Sequence, residues 1–202
     1  NTLKTQHFDL IIYDESHRLQ SVKDGKIKRN AGCRTLLFSA TPKETIYPTI
    51  FSYNYSNGIR DGFLKPFQIN MMNVCTDVNI GVVRFITENG LNRILTFHSK
   101  VNGKTHFEVN GYVRSSISLL ESKGYTVYKI DGKTSEEQRK TIVAKFNDPG
   151  CAEKMIISSC RVLTEGIDTK LCDGILMLNT TKNYTIIAQI LGRGSRTFRD
   201  SN

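Results

Sequence analysis

Residues Leu10-Ile11-Ile12-Tyr13 form an unbroken apolar run, followed at once by Asp14-Glu15-Ser16-His17. Such a run, with a β-branched pair and no alternation, reads as a strand buried on both faces, as in the middle of a parallel sheet. Two carboxylates then stand at its carboxyl end, the edge where open α/β sheets bind ligands. An Asp there suits a Mg²⁺ ion that keeps most of its waters, and the adjacent Glu can orient or deprotonate an attacking water. A second apolar strand, Thr35-Leu36-Leu37-Phe38, ends in Ser39-Ala40-Thr41-Pro42 and repeats the arrangement. Between the two, residues 18–34 are polar, basic and Gly-bearing, and read as a loop or short helix with a solvated face.

Residues 47–73 mix aromatics, Asn, Gly and Pro without a helical period and include Ile59-Arg60-Asp61-Gly62-Phe63-Leu64-Lys65-Pro66-Phe67. Composition shifts after this stretch, which places a domain boundary near residues 70–76 and gives domains 1–72 and 73–202. From there strands and helices alternate. Asp77 can cap a helix to about Asn89, with Val78, Val82, Phe85 and Ile86 apolar and Gly90 at its exit. Ile94–Phe97 reads as a buried strand, 110–123 as a helix stopped by Gly124, and Thr126–Ile130 as the next strand. A helix over 135–147 opens with a Thr134-x-x-Glu137 capping box and carries Ile142, Val143 and Phe146. Strands Lys154–Ser158 and Gly174–Leu178 and a helix from Asn183 complete the series. This spacing means an α/β fold, a parallel sheet with helices on both faces.

The chain carries 28 Lys and Arg against 19 Asp and Glu, a net charge of +9, which favours a polyanionic partner such as nucleic acid. Its apolar runs are far shorter than a membrane span, and no signal-peptide pattern opens it. The five cysteines are odd in number and scattered, with no CxxC pair, so a disulfide framework or zinc knuckle is not expected. A soluble protein of a reducing intracellular compartment, cytoplasm or nucleus, with buried or semi-buried thiols is expected instead.

Near the far end, Gln189, Arg193 and Arg196 fall at i, i+4 and i+7, so on a helix one stripe shows an amide and two guanidiniums, while Ile186, Ile187 and Ile190 form the apolar side. Guanidinium forks match phosphate oxygens and stay charged, which suits a triphosphate. Val162-Leu163-Thr164-Glu165-Gly166-Ile167-Asp168-Thr169 reads as a loop after a strand. Gly166 permits close backbone approach to a ligand, Thr164 can bond a nucleic-acid phosphate, and Asp168 can accept from a ribose or orient an arginine.

In order, DESH, the Ser39–Thr41 SAT, ILTFHSK (Ile94–Lys100), LTEGID and QxxGRxxR resemble the motif series of superfamily 2 helicases. The chain looks closest to DExH helicases related to the ATPase subunits of type I and type III restriction enzymes. The resemblance implies two RecA-like (P-loop NTPase) parallel-sheet domains, the first truncated at its N-terminus. It implies that Asp14 holds Mg²⁺ through water, that Glu15 activates the hydrolytic water, and that His17 with Ser39 and Thr41 couples nucleotide state to nucleic-acid binding. By the same resemblance Ser99, Lys100 and Thr164 lie near a bound strand, and Gly166 and Asp168 line the nucleotide cleft. Gln189, Arg193 and Arg196 would close on the triphosphate, Arg196 as arginine finger.

The resemblance thus implies ATP and Mg²⁺ as cofactors and DNA more than RNA as partner. One family element is missing: no GxxxxGK[ST] phosphate loop precedes the acidic box. The triplets Gly103-Lys104-Thr105 and Gly132-Lys133-Thr134 lack the earlier glycine, since His98 and Val127 stand there. The reading is therefore a fragment of an ATP-dependent helicase or translocase, inactive alone; the alternative is a non-hydrolysing nucleic-acid-binding remnant of one.

Overall fold

The computed structural model describes residues 8–18, 33–42, 47–73, 78–98, 119–160, 168–178 and 182–196. It divides into two compact units, Asn1–Tyr53 and Asn54–Asn202. The division falls earlier than the shift in composition, because residues 54–73 group with the later part of the chain, as the bridge between Leu64 and Arg196 illustrates.

In the first unit β1 (Leu10–Tyr13) and β2 (Arg34–Leu37) pair in parallel, Leu10 opposite Arg34 and Tyr13 opposite Leu37. The expected burial on both faces is not found. Leu10 and Ile12 are 46% and 57% exposed, while Ile11 and Tyr13 are half-buried. Period-2 alternation puts Leu10 and Ile12 on one face, and among the described residues nothing covers it. The apolar composition of the run was compatible with either environment.

The second unit holds α1 (Tyr55–Arg60), α2 (Val78–Glu88), β3 (Arg93–His98), β4 (Tyr125–Ile130), α3 (Glu136–Phe146), β5 (Lys154–Cys160), β6 (Gly174–Met177) and α4 (Tyr184–Gly194). Its four strands run in the order β4-β5-β3-β6, and every pairing is parallel. Alternate residues feed two cores. Leu95, Phe97, Met155 and Ile157 meet Phe146, Ile142 and Val143 of α3 and Ile186 and Ile190 of α4 on one face. Ile94, Ile156 and Leu176 meet Val82, Phe85 and Ile86 of α2, with Leu120, on the other. This is the expected two-sided parallel sheet. Gly90 (φ 61°) and Gly124 (φ 83°) adopt left-handed conformations where helix stops were expected. Of the helix expected over 110–123, residues 119–121 are helical, 122–123 form a turn leading into Gly124, and 110–118 lie outside the described residues.

The capping box of α3 is one residue further on than expected. Ser135 accepts from the Gln138 amide, and the Gln138 side chain accepts in return from Ser135 N–H. The Thr134 hydroxyl is engaged elsewhere, accepting from Asp131 N at 3.0 Å. The Asp131 carboxylate accepts from Lys133 N at 2.8 Å, and that bond holds it below the usual carboxylate range. The Gly132-Lys133-Thr134 triplet thus spends a backbone donor on its own aspartate, unlike a phosphate cradle.

Glu153 accepts from the Tyr128 hydroxyl at 3.0 Å and pairs with Lys145, whose ammonium also donates to that hydroxyl at 2.9 Å. The Lys145 bond, above all, lowers the Glu153 pKa from 4.5 to about 2. A depressed carboxylate stabilises the fold fully above its ordinary pKa and loses that contribution as pH falls towards its folded one. Acid titration of stability should therefore show a decline between pH 4.5 and about 2 that Glu153→Gln flattens. An unchanged profile in that variant, followed by urea midpoints, would contradict the assignment.

Candidate nucleotide and nucleic-acid site

The first cluster stands at the carboxyl ends of β1 and β2. The ladder continues past both strands, Phe38 N donating to Tyr13 O at 2.8 Å and Ser16 N to Phe38 O at 2.9 Å. These bonds turn residues 14–17 across the end of β2. His17, 7% exposed, then places Nδ1 2.9 Å from Ser39 Oγ and 3.5 Å from Thr41 Oγ1. Ser39 Oγ also accepts from Thr41 N at 3.1 Å. Glu15 Oε2 lies 3.2 Å from His17 Nδ1, close enough for an ion pair with a protonated ring but without hydrogen-bond alignment. Glu15 itself is left-handed, with φ 49°. For a residue with a Cβ this conformation costs roughly 1–2 kcal/mol, and such strain gathers at working sites.

Asp14 is exposed and takes the Glu15 amide on Oδ1 at 2.8 Å. Among the described residues no group of three or more His, Cys, Asp or Glu could hold a metal. A lone strand-end carboxylate of this kind fits a Mg²⁺ that arrives on a nucleotide and keeps most of its waters.

The second cluster surrounds the end of α4. Asn183 caps its start, accepting from Thr185 N and Ile186 N. Gln189 and Arg193, one turn apart on α4, are half-buried, and Ile190 on the other side is 3% exposed. The expected stripe does not extend to Arg196 as helix. Ser195 is the C-cap, and Arg196 pairs with Leu64 in an isolated antiparallel bridge. The physical reason is long-range. A Cβ on Gly194 would lie 2.5 Å from Ile175 Cδ1, so the chain presses against β6 there, and Ser195 O accepts from Lys65 N at 2.6 Å instead of continuing the helix.

Arg196 Nη1 donates to Asp168 Oδ1 at 2.8 Å, and Lys170 Nζ is 3.9 Å from Asp168 Oδ2. Of the two roles open to Asp168 in the sequence, orienting an arginine is the one its contact with Arg196 matches. Asn147, just past α3, donates to Asp168 O at 2.6 Å and accepts from Lys170 N at 2.8 Å. Buried Thr169 donates its hydroxyl to Arg193 O at 2.9 Å. Asn147 and Lys170 belong to no motif recognised in the sequence, and Thr169 entered there only as the end of the 162–169 stretch, with no role of its own. Their only local signal was Asn147 at a helix end. Ser99, Lys100, Thr164 and Gly166 lie outside the described residues.

Across 94% of its length the chain is 22% identical to a type I restriction enzyme EcoAI endonuclease subunit of Escherichia coli, of which it covers 30%. It superposes on a fragment described as the HsdR subunit of a type I restriction enzyme from Vibrio vulnificus, with TM-score 0.67 and 19% identity over 95% of this chain and 41% of that one. A TM-score of 0.65 at 18% identity relates it to the ATP-dependent Type ISP restriction-modification enzyme LlaBIII bound to DNA, over 98% of this chain and 18% of that one. The parallel α/β sheet is thus the RecA-like fold of helicase C-terminal domains. The sequence pattern of the helicase conserved C-terminal domain matches residues 81–198, more than half of the chain, and the chain belongs to that family.

Proposed function

We propose that this chain is part of an ATP-dependent motor that moves along or unwinds nucleic acid, DNA more than RNA. Residues 1–72 would end its first ATPase domain and residues 73–202 form its second. The observation that carries the reading is the cluster beyond β1 and β2, where one imidazole nitrogen faces the Glu15 carboxylate and the Ser39 and Thr41 hydroxyls together. A carboxylate that senses a water or a phosphate is thereby wired to the next strand's loop. The preference for DNA is supported by the likeness to restriction enzymes, one of them bound to DNA.

In this mechanism Glu15 takes a proton from the water that attacks the γ-phosphate, and Asp14 would hold Mg²⁺ through water. The ion, when bound, neutralises phosphate charge. His17, Ser39 and Thr41 carry the change at Glu15 to the nucleic-acid side, where Ser99, Lys100 and Thr164 would meet the strand. Gly166 and Asp168 would border the nucleotide, and Gln189, Arg193 and Arg196 would close on the triphosphate, the two arginines supplying charge. The Asp168–Arg196 pair is 45% and 42% exposed. An ion pair this exposed is worth under about 1 kcal/mol, so a phosphate can take the guanidinium from it at little cost.

The second reading is a non-hydrolysing nucleic-acid-binding remnant of such a motor; the 202 residues themselves carry no phosphate loop. Phosphate release from ATP, measured with and without single- and double-stranded DNA, is expected to stay at background for these residues by themselves. A robust rate that Glu15→Gln abolishes would overturn the need for a phosphate loop. DNA binding without hydrolysis, even after a phosphate loop is supplied upstream, would establish the remnant instead.

A further inference from the structure

Lys65 lies in the connecting stretch before the second sheet and reaches both halves of the arginine cluster. Its backbone N–H donates to Ser195 O at 2.6 Å, the residue before Arg196. Its ammonium donates to Lys170 O at 2.9 Å, two residues past Asp168. One side chain and one amide therefore tie together the two segments that carry the ion pair.

The connector is built to deliver these contacts. Asn54 caps α1 through Asn57 N, and Gly58 O accepts from both Phe63 N and Leu64 N, folding the chain back on the helix. The Leu64 side chain fills the space over Gly58, where an added Cβ would lie 2.7 Å from Leu64 Cδ1. Leu64 then bridges Arg196, and Pro66 biases Lys65 towards the extended conformation that an antiparallel bridge requires. Asn147 completes the frame from the opposite side by holding Asp168 O and Lys170 N.

We infer that Lys65 is a positioning residue that sets the Arg196 guanidinium against Asp168 by fastening Ser195 and Lys170 to one point. The inference rests on the proposed function only in giving that guanidinium a catalytic use; the positioning itself is tested without nucleotide. In the ¹⁵N-labelled chain, exchange of the Arg196 guanidinium protons with water reports the ion pair, and Asp168→Asn gives the value without it. Lys65→Met is expected to speed that exchange about two- to fivefold towards the Asp168→Asn value, with backbone shifts beyond the contacts unchanged. Lys65→Arg, which keeps a donor, should restore the slow rate. Lys65→Pro, which removes the backbone donor, should exceed Lys65→Met, and if it fails to fold Lys65→Met decides. Exchange at the wild-type rate in Lys65→Met overturns the assignment and leaves the ATPase reading standing. Faster exchange in Lys65→Met supports the positioning, even if Arg196→Ala in a motor carrying this chain leaves hydrolysis intact and so refutes the ATPase reading.

Discussion

Arg196→Ala, made in a protein that joins this chain to a phosphate loop, is expected to lower ATP turnover by roughly 10³- to 10⁵-fold, the range an arginine finger supplies. ATP binding should change only a few-fold. The asymmetry follows from the proposed role as arginine finger, since the exposed pair with Asp168 at 2.8 Å is too weak to withhold the guanidinium from a phosphate. A group that meets the phosphates chiefly as charge develops in the transition state contributes to kcat, not to ground-state affinity. Measuring kcat and nucleotide Kd side by side separates the two. Equal losses in both would make Arg196 an ordinary phosphate ligand.

The second large effect is on stability. Phe146 closes α3 with 0% exposure and joins the core formed by Leu95, Phe97, Met155 and Ile157. Phe146→Ala should cost about 3–5 kcal/mol, the transfer term plus the cavity left behind. Against a typical total of about 5–15 kcal/mol that is a large share. Asn147 comes directly after it and holds the Asp168 loop, so loosening the end of α3 should also weaken the arginine cluster. Urea unfolding of the 202-residue chain checks the first expectation, and a loss below about 1 kcal/mol would place Phe146 outside a close-packed core.

The second sheet was legible because its strands are buried on both faces and its helices bury one stripe, so apolar period and environment agree. Ile94, Leu95, Ile156 and Ile157 announce themselves. The Leu10–Tyr13 run misled on burial because composition records what a strand can bury, not what lies over it. The α3 cap slipped by one residue because Thr134-x-x-Glu137 and Ser135-x-x-Gln138 satisfy the same local rule, and only the Asp131 turn decides between them. The last turn of α4 was beyond a helical wheel altogether. What ends it is Leu64 and Lys65, far away in the chain, and no local pattern encodes that meeting. The same reason hid the part of Asn147 and the contact of Thr169 with Arg193 O, which exist only once the sheet has formed. His17, Ser39 and Thr41 are brought together where their resemblance to helicase motifs expected a shared role, although that role stays a proposal.

The proposal that Glu15 and Arg196 act in one ATP-hydrolysing reaction is tested most directly by a double-mutant cycle on the two residues. Single-turnover hydrolysis would be followed in Glu15→Gln, Arg196→Ala and the pair, in a protein carrying this chain and a phosphate loop. Groups that act as a unit are strongly non-additive. The account predicts that the double variant is about as slow as the slower single variant; losses that simply multiply would contradict it.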